Sequence, residues 1–278
     1  MNDAPQAPLS TAPKPDPGNR RCGPPLLAAD EPPAFSVINA NADSSLVLCC
    51  DHASHHVPNS LRNLDIDSAA LHTHIGWDIG AADVARHMAA RLSAVLIVAN
   101  YSRLVIDINR TLGHAQSIVT HSDNVKIPAN QKVDALEAQR RADACYWPYH
   151  RTLGALVTSA QRRGTSATLV SVHSFTPVFN DIRRPWQIGV LWDRDEHIAE
   201  SLIEHLRGRE ICVGNNQPYD ARDTVGYTTL VHAGERGVRN VLIEIRQDLV
   251  DSEKGAREWA GVLSGALEAV LPHLGSKQ

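Results

Sequence analysis

Two histidines three residues apart, His52 and His55, stand just beyond the apolar run Leu46-Val-Leu-Cys-Cys, in the polar stretch Asp51-His-Ala-Ser-His-His that Pro58 closes. Imidazole is both a metal ligand and a proton carrier near neutral pH. Two near ligands from one loop plus a distant third is a common way to assemble an open zinc site, with a position left for water. His173, ending the run Ala167-Thr-Leu-Val-Ser-Val-His-Ser, is the distant third. A single strand-end histidine is more often an ordinary hydrogen-bonded side chain, so the spacing suggests a metal without proving one.

Glu244 interrupts a third apolar run, Asn240-Val-Leu-Ile-Glu-Ile-Arg246. An unpaired carboxylate is costly to bury. Glu244 therefore either pairs, with Arg246 as the near candidate, or lies on a pocket floor with a raised pKa suited to a general base. The run Arg103-Leu-Val-Ile-Asp-Ile-Asn-Arg110 ends in Asn109 and Arg110. The planar Arg110 guanidinium could hold a substrate carboxylate bidentately, with Arg103 as a second cation. The duller alternative is that Arg110 pairs with a surface acid such as Asp107. Asp78, between Gly76 and Gly80, could ligate a metal, orient a histidine or cap a helix.

Other machinery is absent or weak. The chain has no glycine-rich phosphate loop and no Gly-x-Ser-x-Gly elbow, which argues against nucleotide and serine-hydrolase readings. Cys49 and Cys50 lie near His52, but burial raises a thiol's pKa and makes it a poor nucleophile. The 278 residues carry 27 basic and 31 acidic side chains, a net charge of −4, with no basic stripe. Neither nucleic acid nor an anionic membrane is therefore an expected partner. No apolar run approaches the ~20 residues of a membrane span, and the N-terminus lacks a signal-peptide pattern. The expectation is a soluble, cytoplasmic protein with a small ligand. Five cysteines, at 22, 49, 50, 145 and 212, do not read as a disulfide framework and are taken as reduced.

The elements that must position these residues follow from periodicity. Residues 1–33 are too rich in proline and small polar residues to pack, and are expected to form a flexible arm ahead of one domain over 34–278. Strands are predicted at 46–50, 94–99, 104–108, 168–172, 188–192, 211–213 and 241–245. Helices are predicted over 71–92, with a break near Gly76–Gly80, and over 196–207 and 254–274. A long helical pattern over 132–163 has Leu136, Leu153, Leu156 and Val157 on its core face, Pro148 as a kink or restart, and Gly164 as its stop. The polar segment 111–131 is expected to lie over a pocket mouth. Strands alternating with helices predict an α/β domain with a mostly parallel sheet covered on both faces. Ligands then bind at the carboxyl ends of the strands.

In chain order, His52-x-x-His55, Asp107-x-Asn109-Arg110, His173-Ser174 and Glu244-x-Arg246 resemble the zinc carboxypeptidase plan. In that plan a His-x-x-Glu pair and a later histidine hold zinc, Asn-Arg grips the terminal carboxylate and a glutamate is the base. More specifically, Asp51-His-Ala-Ser, His74-Ile-Gly-Trp-Asp-Ile-Gly-Ala, Ser102-Arg-Leu-Val-Ile-Asp-Ile-Asn-Arg, Val172-His-Ser-Phe-Thr-Pro and Ile243-Glu-Ile-Arg-Gln-Asp-Leu resemble the N-formylglutamate amidohydrolase family. The resemblance spans about residues 27–273.

It implies a three-layer αβα sandwich of the phosphorylase/hydrolase-like type. It also implies hydrolysis of N-formyl-L-glutamate to glutamate and formate, the closing step of one histidine-degradation route. By motif, His52 and His173 would be metal ligands and Glu244 would activate water. Asn109 and Arg110, with Ser174 and Arg246 from the same motifs, would bind substrate. Here His55 replaces the carboxypeptidase glutamate, so the third ligand is His55 or Asp78. The expected cofactor is zinc. Arg103, or a histidine such as His232, would stabilise the oxyanion. Alternatives are a hydrolase of longer N-acyl amino acids or peptides, and a non-catalytic dicarboxylate-binding scaffold.

Overall fold

Successive side chains of a strand face opposite sides of its sheet, so a strand that is apolar throughout must be covered on both faces. All of Leu46–Cys50 is buried, with Leu46, Leu48 and Cys50 in one core and Val47 and Cys49 in another. A computed structural model describes residues 25–163, 167–223 and 226–274. Its main sheet has seven strands: β1 (Phe35–Ile38), β2 (Leu46–Cys50), β3 (Val95–Ala99), β4 (Thr168–Phe175), β5 (Ile188–Leu191), β6 (Val213–Asn215) and β7 (Arg239–Arg246). Their order across the sheet is β1-β3-β2-β4-β7-β5-β6.

The central strands β3, β2, β4 and β7 are parallel, β1 is antiparallel at one edge, and β5 and β6 run against β7 at the other. Helices α1 (Ala81–Arg91), α4 (Glu196–Arg207) and α6 (Glu253–Val270) bury their apolar faces in the first core. On the opposite face lie α2 (Ala135–Arg141), α3 (Trp147–Arg163) and α5 (Tyr227–His232). The result is a three-layer αβα sandwich with a mostly parallel mixed sheet. No helix among the described residues is long and apolar enough to cross a membrane.

Several expected elements differ. Residues 104–108 are not a strand: Val105 N–H donates to Ser102 O and Arg110 N–H to Asp107 O, so the segment turns. Leu104, Val105, Ile106 and Ile108 are nevertheless buried, and a short apolar run specifies burial without specifying extension. The helix expected over 71–92 is a single turn (Ser68–Leu71) followed, after a loop, by α1. The long helix is interrupted at Pro148 as expected: a π turn (Ala142–Tyr146), with Trp147 N–H reaching Ala142 O, separates α2 from α3, and Pro148 lies in the first turn of α3. Leu136 is 56% exposed rather than on the core face.

Of the expected N-terminal arm, residues 1–24 lie outside the described residues, as do Cys22 and the helix stop at Gly164. Residues 25–33 are held against the domain: Leu26 is buried, and Tyr101 OH and the Asn100 amide donate to the Pro32 and Pro33 carbonyls.

The loop before α1 carries Asp78, and Gly80 fixes its exit. Gly80 has φ +77°, and a Cβ there would overlap the Val250 carbonyl oxygen. Gly113 has a similar φ of +81° with open space around it. Gly113→Ala should therefore cost only the left-handed backbone term, about 1–2 kcal/mol, and Gly80→Ala clearly more. Equal losses in urea unfolding would show that the Val250 contact is not limiting.

Candidate active site

Parallel strands bring their carboxyl ends together, and β2, β4 and β7 deliver Asp51-His52, His173-Ser174 and Glu244 to one place. Alternation decides which residues face it. Val170 and Val172 of β4 and Val241, Ile243 and Ile245 of β7 enter the first core. Ser171 and His173, with Leu242 and Glu244, are left on the opposite face. His173 and Glu244 are register partners on adjacent parallel strands. A cavity of about 300 Å³ opens there, lined among others by His52, Asp78, Arg103, His173 and Glu244.

Asp78 is the centre of the polar network. Its Oδ2 lies 2.8 Å from His173 Nδ1 and 3.3 Å from His52 Nδ1, and its Oδ1 is 3.3 Å from an Arg103 nitrogen. The Ser174 backbone N–H also donates to Oδ2. Asp78 does not cap α1 through its side chain. The outer nitrogens of both rings are also engaged. His52 Nε2 donates to Asp107 Oδ1 at 2.8 Å, and Arg103 pairs with Asp107 Oδ2 at 3.2 Å. His173 Nε2 lies 3.0 Å from Ser171 Oγ and 3.6 Å from Asp51 Oδ2. Asp51 Oδ1 in turn accepts from Tyr149 OH at 2.6 Å.

Charge sets the protonation states. Burial would raise Asp78 and Asp107, but His52 with His173 in the first case and His52 with Arg103 in the second hold both well below the usual carboxylate range. Burial would lower His173, yet the Asp51 and Asp78 carboxylates push it up to about 10. Glu244 behaves in the opposite way: burial pushes it up to about 7 against the pull of His173. A carboxyl tuned to that range is suited to exchange protons at neutral pH.

His52, Asp78 and His173 each offer one ligand atom, all within 4.8 Å of one another and all buried. Two imidazole nitrogens and a carboxylate oxygen form a donor set suited to a divalent transition metal. The carboxylate contacts to the outer ring nitrogens are the supports such ligands usually have. Asp51 Oδ2 is buried, and His173 Nε2 stands 3.6 Å from it, beyond hydrogen-bond distance; the cluster of buried carboxylates favours a cation. The group can therefore hold a metal ion.

The remaining sequence candidates are distributed differently. Asn109, Arg110 and Ser174 line the same cavity. Asn109 Oδ1 accepts from Thr228 N–H, and Ser174 Oγ donates to Ile79 O. Arg110 bonds neutral oxygens, those of Gln116 and the Asn109 backbone, rather than a carboxylate. His55 does not join the donor set; its ring lies 4.1 Å from that of His72 and 5.0 Å from Trp77. Arg246 neither pairs with Glu244 nor lines the cavity, and it grips Asp248. Asp107 is a buried orienting group and not a surface acid. His232 is buried against His150, and burial together with that neighbour lowers it to about 3, so it is no cation.

The segment 111–131 does reach the mouth, where His121, Ser122 and Asp123 line the cavity and Asp123 lies 3.2 Å from His74. Sequence reasoning left Asp51, Asp107 and Tyr149 out of the site. Asp51 and Asp107 stand within the motifs, in Asp51-His-Ala-Ser and Asp107-x-Asn109-Arg110, and could have been found. Nothing local pointed to Tyr149.

Comparison with known proteins places the chain in a family. The sequence profile of the N-formylglutamate amidohydrolase family matches residues 44–250. A crystal structure of a gene product from Agrobacterium tumefaciens is 33% identical and superposes with a TM-score of 0.86, covering 89% of this chain and 98% of that one. The N-formylglutamate amidohydrolase of Ralstonia eutropha JMP134 is 22% identical, with a TM-score of 0.62 over 86% of this chain and 95% of that one. No curated protein matches the chain.

The proton on His173 makes a testable link between metal and pH. A group raised from 6.5 to about 10 in the folded state contributes stability that is complete below 6.5 and lost as pH rises through about 10. With a chelator present, the melting temperature should therefore fall across that window. Stabilisation by an added divalent cation should grow across it, because the metal displaces the proton. A melting temperature that is flat across the window in chelator would remove His173 from this role.

Proposed function

The chain belongs to the N-formylglutamate amidohydrolase family, and on that footing we propose that it hydrolyses the amide of a small N-acyl amino acid, as in N-formyl-L-glutamate, releasing formate and the free amino acid. The observation that carries this reading is the placement of Glu244, buried and raised to about 7, on the strand beside His173 and facing the His52–Asp78–His173 group.

The three ligand residues would hold a divalent metal, zinc being the best match to their donor types. When bound, the metal would supply Lewis-acid polarisation of the acyl carbonyl and acidify a water molecule. Glu244 accepts the proton of the attacking water and delivers it to the amide nitrogen, so that the carbon–nitrogen bond breaks with a neutral amine leaving. Asp107 keeps His52, and Asp51 with Ser171 keeps His173, turned with Nδ1 inward. Arg103 holds Asp78 and Asp107 in place and adds positive charge beside the developing oxyanion. Arg110, whose hydrogen bonds among the described residues go to neutral oxygens, binds the substrate carboxylate, with Asn109 and Ser174 on the same wall. A formyl group is small, so the carboxylate contact does most of the positioning.

Glu244→Gln should lower kcat for formate release about 100- to 10,000-fold while substrate is still bound. A binding scaffold would instead show ligand affinity and no turnover in the parent protein. Arg110→Ala should raise KM about tenfold or more, with kcat less affected. Removing metal with a chelator should abolish turnover, and zinc should restore it. Full activity in the exhaustively metal-stripped protein would overturn the reading.

A further inference from the structure

Arg110 lines two cavities. The second, of about 220 Å³, lies beside the first and is walled by Leu191, Trp192, Tyr227 and Leu230. The two adjoin along one strand face: Leu242 and Glu244 of β7 line the catalytic cavity, and Asn240, two residues earlier on the same face, lines the second. An N-acyl amino acid has the matching shape, because its carboxylate, acylated nitrogen and side chain branch from one carbon.

We propose that the second cavity is the side-chain subsite of the substrate and that it selects an N-acyl amino acid with a bulky apolar or aromatic side chain. This rests on the amidohydrolase reading and specifies its substrate class. The carboxylate sits on Arg110 at the junction, the acyl group enters beside Glu244, and the side chain turns into the second cavity. The size agrees, since a cavity of about 150 Å³ takes benzene. The wall chemistry agrees as well. Five apolar or aromatic side chains line the cavity, the four named and Ala221, beside polar ones that include Thr111, His114 and Thr229. The exposed Arg194 is 3.5 Å from Asp193, so that cation is already offset and offers little to an acidic side chain.

The test uses the zinc-loaded full-length protein with N-formylglycine, N-formylglutamate, N-formylleucine and N-formylphenylalanine, following formate release. The phenylalanine and leucine derivatives should exceed N-formylglycine in kcat/KM by about tenfold or more, chiefly through KM. Leu230 is only partly buried in a surface helix, so substitutions there should fold. Leu230→Trp fills the cavity and should lower the phenylalanine-to-glycine ratio of kcat/KM about tenfold. Leu230→Ala enlarges it and should shift preference towards N-formyltryptophan. Turnover of N-formylglycine or N-formylglutamate with no preference for the larger side chains, or a ratio unmoved by Leu230→Trp, overturns the subsite and leaves the amidohydrolase reading standing. Absence of turnover on every substrate overturns both.

Discussion

The structure depends on one buried negative charge. Asp78 lies 3% exposed and is bonded to His52, His173, Arg103 and the Ser174 backbone N–H. A carboxylate in that position is tolerable only while its partners stay in place, since losing one leaves charge uncompensated in a medium of low dielectric. Those partners come from the end of β2, from β4 and from the turn at 102–105, so the need to satisfy Asp78 ties separate segments together. The two imidazoles thereby present the same ring nitrogen, Nδ1, to one point.

Around that centre, carboxylates of opposite behaviour line one cavity. Asp107 and Asp78 are kept ionised by cationic partners, while Glu244, with burial dominant, is pushed up to about 7. Residues that hold structure and a residue that moves protons are distinguished by their environment and not by their type. The sheet supplies the rigidity this needs. β4 and β7 pair along their whole lengths, so the separation of His173 and Glu244 is set by strand spacing and not by a loop.

Much of the frame was legible from pattern. Leu46–Cys50, Glu196–Arg207 and the apolar core of β7 read directly as buried strand, amphipathic helix and buried strand, because their periodicity reflects which faces are covered. Residues 104–108 misled because burial without partners for pairing looks the same in sequence as a strand. Leu136 misled because its helix turns that side to solvent. His55 and Arg246 carry the same chemistry as the residues that converge, and spacing could not separate them: His55 turns towards His72 and Trp77, and Arg246 finds Asp248 two residues away.

By itself the amino-acid order determined the α/β class, the residue types available for chemistry and the motifs of the family, since these depend on local periodicity and on identity along the chain. Tertiary structure decided which acid joins the two histidines in a group that can hold a metal, which carboxylate burial raises to about 7, and that Asp107, Asp51 and Tyr149 support the imidazoles. Those outcomes depend on distances between segments far apart in sequence, such as Tyr149 and Asp51, 98 positions apart, and on burial. Electrostatic energies in a buried site follow from such distances, on which the order of residues along a chain is silent.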